Sequence, residues 1–226
     1  MMRLVTLFAL LFAAVAPAQE SSKGGDVKVR FLAERAPADL GQVVMATAEA
    51  KSSPFDLPVN FVSEPQAAPA RAFSLKQATG KAVSLATVTL PAEGKEFVVL
   101  LFPAATGYSA VVMPASDPSF GAGDVYFYNH ADKPIVGYVG TATFILPPGN
   151  GKSLKPKGAK GEDEIKYYDV GFGVREKEGD RALSTTRWPL EPKNRSYVFF
   201  FINPTTKRLD FRAVEEFVDP EKKPGA

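Results

Sequence analysis

Leu90-Pro-Ala-Glu-Gly-Lys-Glu-Phe97-Val-Val-Leu-Leu-Phe-Pro103 sets the fold class. Phe97 to Phe102 is an unbroken apolar run of β-formers, too short for a helix and closed by proline. Such a run reads as a strand buried on both faces. Tyr108–Met113 lies beyond Pro103-Ala-Ala-Thr-Gly107, a turn-forming loop, and is its expected hairpin partner. A second stretch resembles the first: Leu190-Glu-Pro-Lys-Asn-Arg-Ser-Tyr197-Val-Phe-Phe-Phe-Ile-Asn-Pro204. Each has a leucine, a polar turn, an apolar strand that places Phe97 against Tyr197, and a proline. Asp26-Val27 and Asp124-Val125 open the two halves alike.

Outward from these runs the chain keeps to short apolar segments divided by turns. Val27-Lys28-Val29-Arg30-Phe31 alternates at period two, as a half-buried strand does. Further strands are expected at Val43–Thr47, Pro58–Val62, Ala70–Leu75, Val83–Leu90, Val125–Asn129, Ile135–Val139, Thr141–Leu146, Tyr167–Val174, Ala182–Arg187, Tyr197–Ile202 and Leu209–Ala213. Val214-Glu-Glu-Phe217 reads as one helical turn. Nineteen prolines and 18 glycines punctuate the whole. The expected fold is all-β: two packed β-sandwich, immunoglobulin-like modules, either duplicated or alike only as hairpins are alike. An outer-membrane barrel fits less well, since its strands are longer and alternate throughout.

The N-terminus reads as a secretory signal peptide. A basic start at Met1 to Arg3 leads into apolar Leu4 to Val15, and Ala16-Pro17-Ala18 supplies a cleavage pattern. The expected organisation is a signal peptide over 1–18, a flexible lead-in over 19–25 and a first module over 26–114. A linker over 115–123, a second module over 124–218 and a disordered tail over 219–226 follow. The export route points to the periplasm or the exterior. The 226-residue chain has no cysteine, so disulfides, a lipidated cysteine and thiolate chemistry are ruled out, and packing alone must hold the fold. Its formal net charge of +2 gives no global pull toward nucleic acid or anionic lipid. No segment after the leader is long enough to span a membrane.

Catalytic and cofactor motifs are missing. His130, the single histidine, sits in Tyr-Asn-His-Ala-Asp132. It reads as a turn residue, or as a base oriented by Asp132, with no Gly-x-Ser-x-Gly elbow to supply a nucleophile. One histidine without cysteine does not make a zinc site, and no cofactor is expected. Glu162-Asp163-Glu164 does not fit a calcium loop. Lys152, Lys155, Lys157 and Lys160 stand among glycines in a stretch that reads as a mobile loop or a weak anion cradle. The glycines of Gly137-Tyr-Val-Gly140 are expected at a hairpin or bulge.

Aromatic residues are the most suggestive feature. Tyr126 and Tyr128 share one strand face, Tyr167 and Tyr168 open another strand, and Trp188 follows Arg187. Exposed, these rings would form a ligand platform; inward, they would fill the core. Tyr126, Tyr128, Trp188 and Arg187 are the candidate ligand-binding residues.

Ser53-Pro-Phe-Asp-Leu-Pro58, Gly123-Asp-Val-Tyr-Phe-Tyr-Asn129, Val170-Gly-Phe-Gly-Val-Arg-Glu176 and Ser184-Thr-Thr-Arg-Trp-Pro189 resemble stretches of a class of uncharacterised exported bacterial all-β proteins. The resemblance implies export and an all-β fold and carries no site. The expectation is therefore a non-enzymatic structural or binding protein of the cell envelope, with a polysaccharide or an envelope protein as partner. A hydrolase acting on an envelope polymer and a scaffold or assembly subunit are the alternatives. The oligomeric state is left open by the sequence.

Overall fold

A computed structural model describes residues 26–79, 83–161 and 166–218. The signal peptide, lead-in, tail and the acidic run at 162–164 lie outside the described residues. The architecture is all-β. In the first half the strands are β1 (Lys28–Ala33), β2 (Val43–Ala46), β3 (Gln66–Ala67), β4 (Ala72–Gln77), β5 (Ser84–Thr89), β6 (Glu96–Pro103) and β7 (Tyr108–Pro114). In the second half they are β8 (Val125–Asn129), β9 (Ile135–Val139), β10 (Ala142–Leu146), β11 (Gly151–Leu154), β12 (Tyr167–Glu176), β13 (Gly179–Pro189), β14 (Asn194–Ile202) and β15 (Leu209–Phe217).

These strands form four sheets, two per half. In the first half, β3-β1-β6-β7 packs on β2-β4-β5; in the second, β11-β8-β14-β15 packs on β10-β9-β12-β13. One pairing scheme recurs. The first strand of each half runs parallel to the apolar central strand, β1 to β6 and β8 to β14. That central strand forms an antiparallel hairpin with the next, β6 with β7 and β14 with β15. The short strands β3 and β11 cover the far edge.

Three cores separate the four layers. Phe31, Met45, Leu75, Val88, Phe97 and Val99 fill the first sandwich. Phe127, Phe144, Phe172, Val198 and Phe200 fill the second. Between the two inner sheets lies a third core with Leu32, Val98, Leu100 and Phe102 from one module and Tyr126, Tyr197, Phe199 and Val214 from the other. This explains the unbroken apolar runs. A strand between two cores needs apolar side chains on both faces, so the half-polar alternation disappears.

Phe97 and Tyr197, matched in sequence, occupy opposite roles. Phe97 faces its own sandwich, while Tyr197 faces the other module. In β14 it is Val198 and Phe200 that point into the module's own core. A one-residue offset reverses every side chain of a strand. Asp26-Val27 and Asp124-Val125, in contrast, match in facing, with Val27 and Val125 each in their own core.

Three expectations need correction. Pro58–Val62 forms no strand; the backbone there instead supplies Pro58 O to Ala33 N–H at 2.9 Å. Val214–Phe217 is extended rather than helical and completes β15, where Tyr197 and Val214 are register partners. The lysine stretch contains β11, paired to β8 from Gly151↔Tyr128 to Leu154↔Val125. The segment 115–123 between the two halves packs onto the layer between them. Phe120 is buried in the inter-module core, and the carbonyls of Ala115 and Phe120 accept from Arg195 Nη1 at 2.9 and 3.1 Å.

The Gly137–Gly140 glycines serve the β9–β10 hairpin as expected. Gly140 turns at φ +63°, and a Cβ there would meet Lys157 O at 1.8 Å. No helix among the described residues is long and apolar enough to cross a membrane.

Candidate functional site

The four sequence candidates do not form one platform. Tyr126 is buried between the modules, where burial pushes its pKa up to about 12. Tyr128 stacks on Phe102 at 3.9 Å between ring centroids in the same layer. Arg187 lies outside the second sandwich, with its guanidinium 4.8 Å from the Tyr167 ring centre and 3.5 Å from Asp169. Trp188 points inward, packed edge-on against Phe172 at 5.7 Å. Adjacent residues on a strand face opposite ways, so Arg187 and Trp188 cannot share a surface.

His130 follows β8 directly and opens the bend into β9, as its turn reading has it. Its backbone N–H donates to Phe200 O at 2.8 Å, and its ring Nδ1 lies 2.5 Å from Glu34 Oε2. The partner is a buried glutamate of the other module, and Asp132 takes no part. Arg35 approaches the second Glu34 oxygen at 3.5 Å, and Arg212 donates to Ala33 O at 2.9 Å. No hydroxyl of a serine or threonine bonds to His130 among the described residues.

A second buried acid bridges the modules elsewhere in the same layer. Glu216 accepts from Arg195 at 2.8 Å, from the Tyr197 hydroxyl at 2.7 Å and from Arg30 of the first module. Burial alone would raise the Glu216 pKa. The hydrogen bond and charge of Arg195, the charge of Arg30 and the Tyr197 hydroxyl outweigh it, and the net direction is down. Every polar atom of that carboxylate has a partner, so this cluster reads as an inter-module clasp.

Trp188 leads to a different place. In the β12–β13 ladder it is the register partner of Tyr168, and the two rings line a pit of about 110 Å³ at one end of the second sandwich. Strand ends of β8, β9, β12, β13 and β14 meet there. Val125, Val139 and Leu190 give it apolar walls, and Asp124, Glu191 and Glu215 bring carboxylates. No lysine or arginine lines it among the described residues. Asp124 is buried; its Oδ2 accepts from Gly121 N–H at 2.9 Å, while its Oδ1 is buried without a partner. Glu215 accepts from the Asn194 side chain at 3.2 Å, its one side-chain hydrogen bond among the described residues. No Lys or Arg forms an ion pair with any of the three acids among the described residues.

That combination is chemically specific. Three carboxylates in one recess with no basic side chain among its described lining favour a cationic ligand. Indole and phenol faces attract cations. No three acidic or imidazole groups among the described residues converge as metal ligands would, so the donor set suits an organic cation better than a metal ion. A wider hollow of about 740 Å³ lies over the outer sheet, around Tyr138, Gly171 and Gly173. Within it Arg175 holds Asp180 at 2.9 and 3.0 Å, and its other charged lining groups, Lys152 and Arg181, are basic.

The fold and the pit define a double β-sandwich with a small aromatic, acidic recess. The sequence matches no protein-family profile and no curated protein.

Sequence reading singled out Trp188 but missed its companions. Asp124 looked like a strand-opening residue, and Glu191 and Glu215 were scattered charges. Only the convergence of strand ends distant in sequence brings them together.

Proposed function

We propose that this is an exported, non-enzymatic binding protein of the cell envelope that captures a cationic side chain of an envelope protein, an ammonium or a guanidinium, in the Trp188 pit. The observation that carries this reading is a recess walled by Trp188 and Tyr168 and lined by Asp124, Glu191 and Glu215, with no basic residue among its described lining. The pit holds roughly three or four water volumes, which suits an ammonium group on a short alkyl stem. Export rests on the leader pattern in residues 1–18.

Trp188 is the chain's single tryptophan, so its fluorescence reports on the pit directly. Butylammonium titrated into the mature protein is expected to give a saturable change, and butyrate none. Asp124→Asn should weaken the response at least about tenfold, the effect of losing a charged hydrogen-bond acceptor. A response equal for both probes, or absent for butylammonium, overturns the reading.

The hydrolase alternative has less support, since His130 is engaged by Glu34 inside the module interface. The scaffold alternative draws on β13, a long and largely exposed edge strand, and predicts self-association that substitutions in β13 abolish.

A further inference from the structure

The second module leaves a main-chain edge open beside the Trp188 pit. β13 is the last strand of its sheet, and its ladder to β12 occupies one side only. No main-chain hydrogen bond reaches Gly179–Pro189 from any other element among the described residues. A register shift at Phe172/Gly173 divides the ladder, and Ser184 to Pro189 is the unbroken run next to the pit.

Native sheets commonly blunt such an edge with charge. In β13 the three charged side chains are each drawn back to β12: Asp180 to Arg175 at 2.9 Å, Arg181 to Glu176 at 3.5 Å and Arg187 to Asp169 at 3.5 Å. The surroundings of the edge change along its length. Phe172, the register partner of Ser184, touches Phe211 of β15 at 5.1 Å, so β13 and β15 face each other there across the core. Leu183, Leu209 and Phe211 lie partly buried at that end. Five residues further along β13, a strand length of about 17 Å, Trp188 meets Ala213 and Glu215 in the pit. The apolar end thus leads to Asp124, Glu191 and Glu215, with no basic residue among the described lining. A chain laid on this edge meets hydrocarbon first and negative charge last. An extended segment can answer both, because alternate side chains share one face and its main chain is free to pair. A helix has already spent its main-chain groups on itself.

We propose that the free edge of β13, from Leu183 to Trp188, pairs with a β-strand of the partner protein. That strand places apolar residues beside Leu183 and Phe211 and, at its far end, the lysine or arginine that enters the pit. This rests on the cationic reading of the pit and names the element that carries the cation to it.

The test follows Trp188 fluorescence of the mature protein titrated with acetyl-Lys-Thr-Val-Thr-Val-Thr-Val-amide, with the reversed sequence and with butylammonium. One peptide direction is expected to bind at least about tenfold more tightly than butylammonium, through main-chain pairing and alternate side chains. In a β-ladder only alternate residues bond to a given neighbour. N-methylation of one alternate set of peptide amides should therefore abolish the gain, and N-methylation of the other set should leave it intact. Leu183→Asp lies outside the pit; it should abolish the gain and keep the butylammonium response, which also reports that the variant is folded. Butylammonium binding with no gain from either peptide overturns the strand and leaves the pit reading standing. A silent butylammonium overturns the pit reading, and the strand with it. Equal affinity of the two N-methylated forms, or a dimer through β13 that the peptide fails to displace, overturns the strand alone.

Discussion

The two modules share one strand scheme but close differently. In the first, β5 and β7, at matching edges of the two sheets, run beside each other and seal the sandwich. Their counterparts β13 and β15 stand apart. The gap leaves Leu183, Trp188, Leu209 and Phe211 only partly buried against the second core. The fillings differ too. The first core is largely aliphatic, with a Phe31–Phe55 stack at 5.1 Å. The second is a mesh of rings in which Phe172 touches Phe127, Phe144, Trp188, Phe200 and Phe211 at 5.1 to 6.2 Å. Rings hold such a module together with fewer backbone contacts along one side, because each buries a large area and packs edge to face. The module that stays open is the one with a recess ending on its tryptophan.

The largest expected effect is on that mesh. Phe172→Ala removes a ring shared by five others and should cost about 3–5 kcal/mol. Denaturant unfolding measures it, and a loss well under 2 kcal/mol would mean that the open module does not depend on its rings as described. The clasp between modules comes next. Glu216→Ala leaves Arg195 buried without its acid and should cost about 3 kcal/mol. If the clasp couples the two sandwiches, unfolding of this variant splits into two transitions; a single, unshifted transition would show that the apolar layer alone joins them.

The closed seam can be broken at one glycine. Gly107 turns at φ +72°, and a Cβ there would lie 2.1 Å from Leu85 O on β5. Gly107→Ala should cost about 1–3 kcal/mol, while Gly149→Ala, with φ +71° and no neighbour within 4 Å of its Cβ, carries the backbone strain alone. The difference between the two melting temperatures isolates the clash at the seam.

Acid provides a graded test of the clasp. Glu216 has a depressed pKa in the folded protein. Its contribution is therefore complete above the ordinary glutamate value of about 4.3 and is lost as the pH falls through the depressed one. Glu216→Gln should flatten the acid limb of the stability profile; an unchanged limb would assign acid sensitivity to other groups. The smallest effect is expected at Arg187. Its contacts with Tyr167 and Asp169 are exposed, so Arg187→Ala should leave the melting temperature within measurement error.

Residue patterns alone gave the central strands, the hairpins that follow them and the all-β class. These depend on local rules: apolar run length, turn chemistry and the period of two. They misread Val214–Phe217 because two adjacent glutamates look helical, whereas Glu216 is drawn inward by Arg30 and Arg195. They missed β3 and β11 because short edge strands owe their existence to a neighbouring strand and not to their own apolar content. Of the candidate site, Trp188 was legible and its acids were not.

Composition and spacing by themselves determined that the chain makes sheets and holds them by packing, since there is no cysteine to staple them. Which face of each strand looks to which core was decided only in three dimensions. Phe97 and Tyr197 show why: parallel pairing with a strand far away in sequence fixes the register, and one residue of offset exchanges inside for interface. The same holds for the Trp188 pit, assembled from strand ends whose separation along the chain conceals their proximity in space.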